Sequence, residues 1–304
     1  SHSTIQYCNI RNIGIPAYYA GNYPPDFTFR YHQIEIIDYD NVTFDHCLFE
    51  SNFNHITEKK SSSAIYSKSS DNINLSNCVF KNSFVNEAGA SCIWAESSTV
   101  NINKCIVKDQ KSEVWGNSRS NSFCIASDNS IVSINQSDFI GNGGSVVIAS
   151  FDNKYLKIEN CSFQDNDTQV MEIIFSDATI INNKFINNGM ALNIRGKANI
   201  IGNLIAYSKV FCGCSNFFGT AINMFIADSS IIATNTIVEN KQDSYGAAIY
   251  YSSTSAAVIV NNIFWHNSNL VSDNANIYGY NGVDGDYADP FIKYNLVNGD
   301  PLFR

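Results

Sequence analysis

The sequence predicts an all-β solenoid of about ten turns, and three observations predict it. A motif of two or three β-formers, then Cys or Asn, one free residue and an apolar residue recurs along the whole chain. A second motif, small residues followed by an apolar strand start, precedes each copy at a nearly fixed distance. No segment carries a capped helical period of useful length.

The first motif is clearest in Val42-Thr43-Phe44-Asp45-His46-Cys47-Leu48-Phe49, Ile73-Asn74-Leu75-Ser76-Asn77-Cys78-Val79-Phe80 and Val100-Asn101-Ile102-Asn103-Lys104-Cys105-Ile106-Val107. Later copies carry Ser137, Cys161, Asn183, Asn203, Asn235 and Asn262 at the same point, and Cys8 heads an earlier copy. The ten anchors are spaced by 39, 31, 27, 32, 24, 22, 20, 32 and 27 residues. Period-2 alternation within each copy reads as strand. Units this short cannot bury their own faces, so they must stack, with parallel strands about 4.8 Å apart.

The second motif appears as Ser63-Ala64-Ile65-Tyr66, Ser91-Cys92-Ile93-Trp94, Thr220-Ala221-Ile222 and Ala247-Ala248-Ile249-Tyr250. From its Ile to the next anchor the interval is 12 or 13 residues in most copies and 9 in the Ile194 copy. The interval after an anchor ranges from 11 to 26 residues. Solenoids collect such insertions on one face, often the binding face.

Composition sets the outer limits. The 304 residues are 44% hydrophobic and only 15% charged, with net charge −9. Sparse charge and 13% aromatic content exclude disorder. An acidic chain lacks the basic footprint of a nucleic-acid binder. No window approaches the 18 apolar residues of a membrane helix, so no membrane insertion by this segment is expected. The first residues, Ser1-His2-Ser3-Thr4, show no leader pattern. The chain reads as a single domain over 1–304, part of a longer protein, with an aromatic insertion at 10–33 and an end or cap region at 270–304.

The pattern resembles the right-handed, single-stranded parallel β-helix family. More narrowly it resembles the repeats of polymorphic outer membrane proteins, with Phe-x-x-Asn at Phe49/Asn52, Phe139/Asn142, Phe163/Asn166, Phe185/Asn188 and Phe264/Asn267. Gly246-Ala247-Ala248-Ile249 and Gly219-Thr220-Ala221-Ile222 stand for that family's Gly-Gly-Ala-Ile element. The resemblance implies an extracellular or cell-surface location and a role in adhesion. The same fold hosts polysaccharide lyases, hydrolases and epimerases, so fold alone does not decide function.

Cys47, Cys78, Cys105 and Cys161 share one position with Asn183, Asn203, Asn235 and Asn262. A bend residue that points inward can stack on its copies. Asn would pass hydrogen bonds along such a ladder, and Cys would serve as a small buried hydrophobe. Disulfide pairing or metal binding is the sharper alternative. Cys212-Gly213-Cys214 falls in a long loop with no His cluster beside it.

Two long loops, about 108–122 and 206–219, bracket three short ones. That order predicts a saddle with a floor at 140–147, 164–172 and 186–193. The walls offer Trp115, Arg119, Tyr207, Phe217 and Phe218, and the floor offers Asp165, Asp167, Glu172 and, at its edge, Arg195. Aromatics with carboxylates and Arg suit a sugar, which stacks its apolar face and hydrogen bonds through its hydroxyls. The expected ligands for Trp115, Arg119, Glu172, Arg195 and Tyr207 are therefore a glycan or a host cell-surface protein. The N-terminal insertion, with Tyr18, Tyr19 and Tyr23, is a second candidate surface or a lid over the coil end.

The enzymatic alternative is a polysaccharide lyase or glycoside hydrolase, with Asp165, Asp167 and Arg195 as candidate catalytic groups. None of the β-helix polygalacturonase motifs is present, and no Gly-x-Ser-x-Gly or phosphate loop occurs. No cofactor is expected. Asp284, Asp286 and Asp289 read as a turn or a Ca2+ site.

Overall fold

The computed structural model describes residues 3–11, 34–56, 64–113, 121–143, 146–210, 221–225, 229–242, 247–252, 257–269, 277–279 and 291–297. Regular structure in these residues is strand throughout, and all the strand pairs named below are parallel. The fold is a parallel β-helix. It divides into two compact units, Ser1–Lys154 and Tyr155–Arg304.

In the first unit each turn contributes a strand to three sheets in succession. The first sheet stacks Ser3–Gln6, Val42–Asp45, Ile73–Ser76, Thr99–Asn103 and Ile131–Asn135. The second stacks Asn9–Arg11, Leu48–Glu50, Val79–Lys81, Ile106–Lys108 and Asp138–Ile140. The third stacks Ile34–Ile37, Ile65–Lys68, Phe84–Glu96, Asn121–Asp128 and Val146–Phe151.

The second unit repeats the scheme. Its first sheet runs through Tyr155–Glu159, Ala178–Ile181, Ala198–Ile201, Ile231–Ala233, Val258–Val260 and Phe291–Lys293. Its second runs through Ser162–Gln164, Lys184–Ile186, Leu204–Ala206, Thr236–Val238, Ile263–Trp265 and Leu296–Val297. Its third runs through Gln169–Ile174, Leu192–Arg195, Ile222–Phe225, Ile249–Ser252 and Ile277–Gly279.

Strand alternation turns every second residue inward, and register places like on like. Ile158, Ile180, Ile200, Ile232 and Ile259 form one such column, all fully buried. The Phe of Phe-x-x-Asn fills the second sheet's inward column. Phe49 and Phe80 stack at 4.5 Å between ring centroids, and Phe163 and Phe185 at 4.9 Å. The parallel rings keep their apolar faces on one another while the coil advances one strand spacing per turn.

Three bends join the three sheets, and each is made the same way. One residue takes a left-handed φ and the next turns its side chain inward. At the first bend His46, Asn77 and Lys104 have φ of 53, 54 and 53°, each just before a cysteine. The left-handed region tolerates Asn and Asp best among residues with a Cβ, which accounts for the abundance of these types at corners.

The inward residue after the corner satisfies backbone groups that the bend removes from the sheets. Asn183 Nδ2 donates to Ile158 O at 3.0 Å, Asn203 Nδ2 to Ile180 O at 2.9 Å and Asn235 Nδ2 to Ile200 O at 2.8 Å. Their Oδ1 atoms accept from the turn before: Cys161 N donates to Asn183 at 2.8 Å and Asn183 N to Asn203 at 2.9 Å. Cysteine makes the same contacts with sulfur. Cys47 Sγ donates to Ile5 O at 3.5 Å, Cys78 Sγ to Phe44 O at 3.5 Å and Cys105 Sγ to Leu75 O at 3.6 Å. All three thiols are free, as are those of Cys8, Cys92, Cys124 and Cys161.

The second and third bends carry ladders of their own. The second uses the Asn of Phe-x-x-Asn. Asn188 Nδ2 donates to Phe163 O at 2.9 Å, while Asn166 N donates to Asn188 Oδ1 at 3.1 Å. Asn166 is wholly buried there, so its Asn-x-Thr sequence is no surface acceptor for glycosylation. The third bend uses serine: Ser70 N donates to Ser98 Oγ at 3.2 Å and Ser98 N to Ser130 Oγ at 3.1 Å.

Candidate ligand-binding face

The outer sides of the three sheets differ. On the first sheet they are polar and regular, with Asn101 Nδ2 donating to Asn74 Oδ1 at 3.1 Å and Asn135 Nδ2 to Asn103 Oδ1 at 3.2 Å. On the third sheet much of the outward row is buried, including Tyr66, Trp94, Ala126, Asn193 and Asn223. Segments that vary in length, such as 57–63, 114–120, 211–220 and 243–246, return to the chain at a third-sheet strand.

In the first unit the outer row of the third sheet is Tyr66, Trp94, Ala126 and Ala149 in register. With Ala90, Phe123 and Val146 it forms a second apolar cluster outside the coil, against which Phe151 packs. Trp94 and Phe123 lie 6.1 Å apart, and Phe123 meets Phe151 edge-on at 5.5 Å. Tyr66 Oη donates to Glu96 Oε2 at 3.0 Å, whereas the buried Trp94 Nε1 has no hydrogen-bond partner among the described residues.

In the second unit the equivalent row is polar. Glu172, Asn193, Asn223 and Tyr250 occupy one register position on four consecutive turns. Asn193 Nδ2 donates to Glu172 Oε1 at 3.4 Å, and Asn223 Nδ2 donates to Asn193 Oδ1 at 3.1 Å. The carboxylate thus anchors a line of two amides. At its far end Asn223, 1% exposed, has a buried Oδ1 with no partner among the described residues. Beside this row the Arg195 guanidinium lies 5.8 Å above the Phe225 ring, and Phe225 meets Tyr250 at 5.7 Å. Cation–π contact holds the charge over an apolar platform.

The structure therefore brings Glu172 and Arg195 to the outer side of adjacent strands, with Glu172 opposite Asn193 and Ile174 opposite Arg195. Asp165 lies elsewhere, at a left-handed corner with φ 54°, where it accepts from Asn187 Nδ2 at 2.6 Å and Gln164 Nε2 at 3.0 Å. Asp167 is exposed two residues on, and Tyr207 is another left-handed corner, with φ 59°. The saddle floor divides between the units, with 140–147 in the first and 164–172 and 186–193 in the second. Trp115, Arg119, Phe217, Phe218, Cys212, Cys214, Tyr18, Tyr19, Tyr23 and the trio Asp284, Asp286 and Asp289 lie outside the described residues. Among the described residues no group of three or more His, Cys, Asp or Glu could hold a metal ion.

Asn193, Asn223 and Phe225 were not picked out by sequence reasoning. A signal did exist, since Leu192-Asn193-Ile194 and Ile222-Asn223-Met224 set Asn at the same point of two strands. Its meaning depends on knowing that the point faces outward and is nevertheless buried.

No protein-family model matches this chain, and no curated protein sequence matches it. Among solved structures it is similar to PfbA, a surface adhesin of Streptococcus pneumoniae, at 11% identity and a TM-score of 0.41, over 76% of this chain and 70% of that one. It is also similar to tailspike protein 3 of bacteriophage CBA120, at 10% identity and a TM-score of 0.32, over 92% of this chain and 50% of that one. At these scores neither likeness carries an argument about function.

Proposed function

We propose that this chain is a recognition module of an extracellular or cell-surface protein, and that it binds glycan on the outer side of its third sheet. The observation that carries the reading is the half-buried Glu172 carboxylate at the head of the Glu172–Asn193–Asn223 line, beside the half-buried Arg195 guanidinium held over the Phe225 ring. Glu172 can accept from sugar hydroxyls, Arg195 can donate to ring or exocyclic oxygens, and the partly exposed Phe225 ring offers apolar surface. A surface of Asn and Ser with few charges supports the location, as does the resemblance of the Phe-x-x-Asn repeats to those of polymorphic outer membrane proteins.

A glycan array, followed by incubation with soluble polysaccharides and a reducing-end assay, tests this. Binding without new reducing ends is the expected result. New ends would make the chain a lyase or hydrolase. Silence on the array, with binding to host surface proteins instead, would replace glycan by protein as the ligand class.

A further inference from the structure

We infer that the second bend of the Tyr155–Arg304 unit carries a separate stacking ridge for a neutral oligosaccharide, formed by Tyr207, Glu239, His266 and Trp265. The inference rests on the glycan reading above but on different residues. Tyr207, Glu239 and His266 are left-handed corners on three consecutive turns, with φ of 59, 55 and 49°. Register fixes the sequence of turns, with Ala206, Val238 and Trp265 in line. Backbone bonds tie the corners, Tyr207 N to Val238 O at 3.3 Å and Glu239 N to Trp265 O at 2.9 Å.

A left-handed corner favours Gly, Asn or Asp, and a bulky aromatic there is strained. Tyr207 nevertheless occupies one, 51% exposed, and Trp265 is 41% exposed two turns away. On the turn between them Glu239 Oε1 lies 2.8 Å from His266 Nδ1, and the His266 ring lies 5.4 Å from that of Trp265. Among the described residues, Glu239 Oε2 and His266 Nε2 have no partner. Two rings two turns apart, about 10 Å along the coil by strand spacing, with Glu239 on the turn between them and His266 beside Trp265, alternate apolar and polar surface along the coil. A glycan alternates in the same way, with pyranose faces to stack and hydroxyls to donate to Glu239. An apolar peptide would leave the Glu239–His266 pair buried and short of partners.

The test is titration of the intact chain with cellohexaose, maltohexaose, xylohexaose and chitohexaose, followed by tryptophan fluorescence and calorimetry. At least one probe should bind, and Trp265→Ala and Tyr207→Asn should each weaken it by tenfold or more. Tyr207→Asn also separates function from folding. Asn suits a left-handed corner, so this variant should keep its melting temperature or gain about 2–4 °C while losing affinity. No binding by any probe overturns the ridge, and so does binding that both variants leave intact. If Arg195→Ala abolishes binding and the ridge variants do not, the ridge fails and the third-sheet site stands. The reverse pattern keeps the ridge and removes that site.

Discussion

Asn235 Oδ1 accepts two hydrogen bonds from Asn203, one from its backbone N–H at 2.9 Å and one from its side-chain Nδ2 at 3.0 Å. Asn262 Oδ1 in turn accepts from the Asn235 backbone N–H at 2.9 Å and from its Nδ2 at 3.0 Å. Each amide serves as both a backbone cap and a ladder rung, so removing one strands donors on the turn before. Asn235→Ala should destabilise the unit by about 1–3 kcal/mol, because Asn203 loses an acceptor inside the coil. A change on the exposed outer side, Lys184→Ala, should stay within about 0.5 kcal/mol. Urea melts of the two variants check the contrast.

Cys105 Sγ donates to Leu75 O and takes the place that Asn takes in later turns. An Asn there can make the same donation and can accept the Cys78 backbone N–H. Cys105→Asn should therefore remain folded with a loss below about 1.5 kcal/mol, whereas Cys105→Leu, which has no donor, should lose more. Equal losses for Asn and Leu would remove the equivalence of the two residue types.

Burial pushes the Cys124 thiol up to about 12, and burial with the neighbouring Cys124 pushes Cys92 well above its usual range. The adjacent Cys105 sulfur and burial raise Cys78 as well. Folded pKa values above the unfolded one mean that the unfolded chain releases protons first as pH rises. Stability is then fully present below the unfolded thiol value of 9.0 and falls from there toward about 12. A melting temperature that declines across this alkaline window is expected, together with slow alkylation of these thiols at neutral pH. Mass spectrometry finding a Cys47–Cys78 or Cys78–Cys105 bridge would contradict the free-thiol ladder.

Phe185 is fully buried and stacked 4.9 Å from Phe163. Phe185→Ala should cost about 3–5 kcal/mol, since the neighbouring rungs are fixed by sheet hydrogen bonds and cannot close the cavity. Thermal unfolding measures it directly.

The fold was legible because its repeat is written in strong letters. Cys47, Cys78 and Cys105, then Asn183, Asn203 and Asn235, mark the first bend at a nearly fixed distance from a preceding Ile. The other bends were harder to read. Asn52, Ser83, Gln110 and Asn142 share the second bend without sharing a residue type, and Ser70, Ser98 and Ser130 vanish in a serine-rich background. Phe-x-x-Asn was visible as a motif, but its physical role, a stacked ring followed by a cap, needed the coil. Glu172 and Arg195 were reachable from loop lengths. Asn223 was not, because an orphaned oxygen is a property of register and burial rather than of residue type.

The most direct measurement of the account is ligand affinity across a pair of faces. Using whichever glycan the array identifies, Arg195→Ala and Glu172→Gln on the third sheet should each lower affinity tenfold or more. Asn101→Ala, on the outer side of the first sheet, should leave it unchanged, with melting curves confirming that all three variants are folded. Loss of binding in Asn101→Ala, or full affinity in both third-sheet variants, would contradict the assignment of the third sheet as the recognition face.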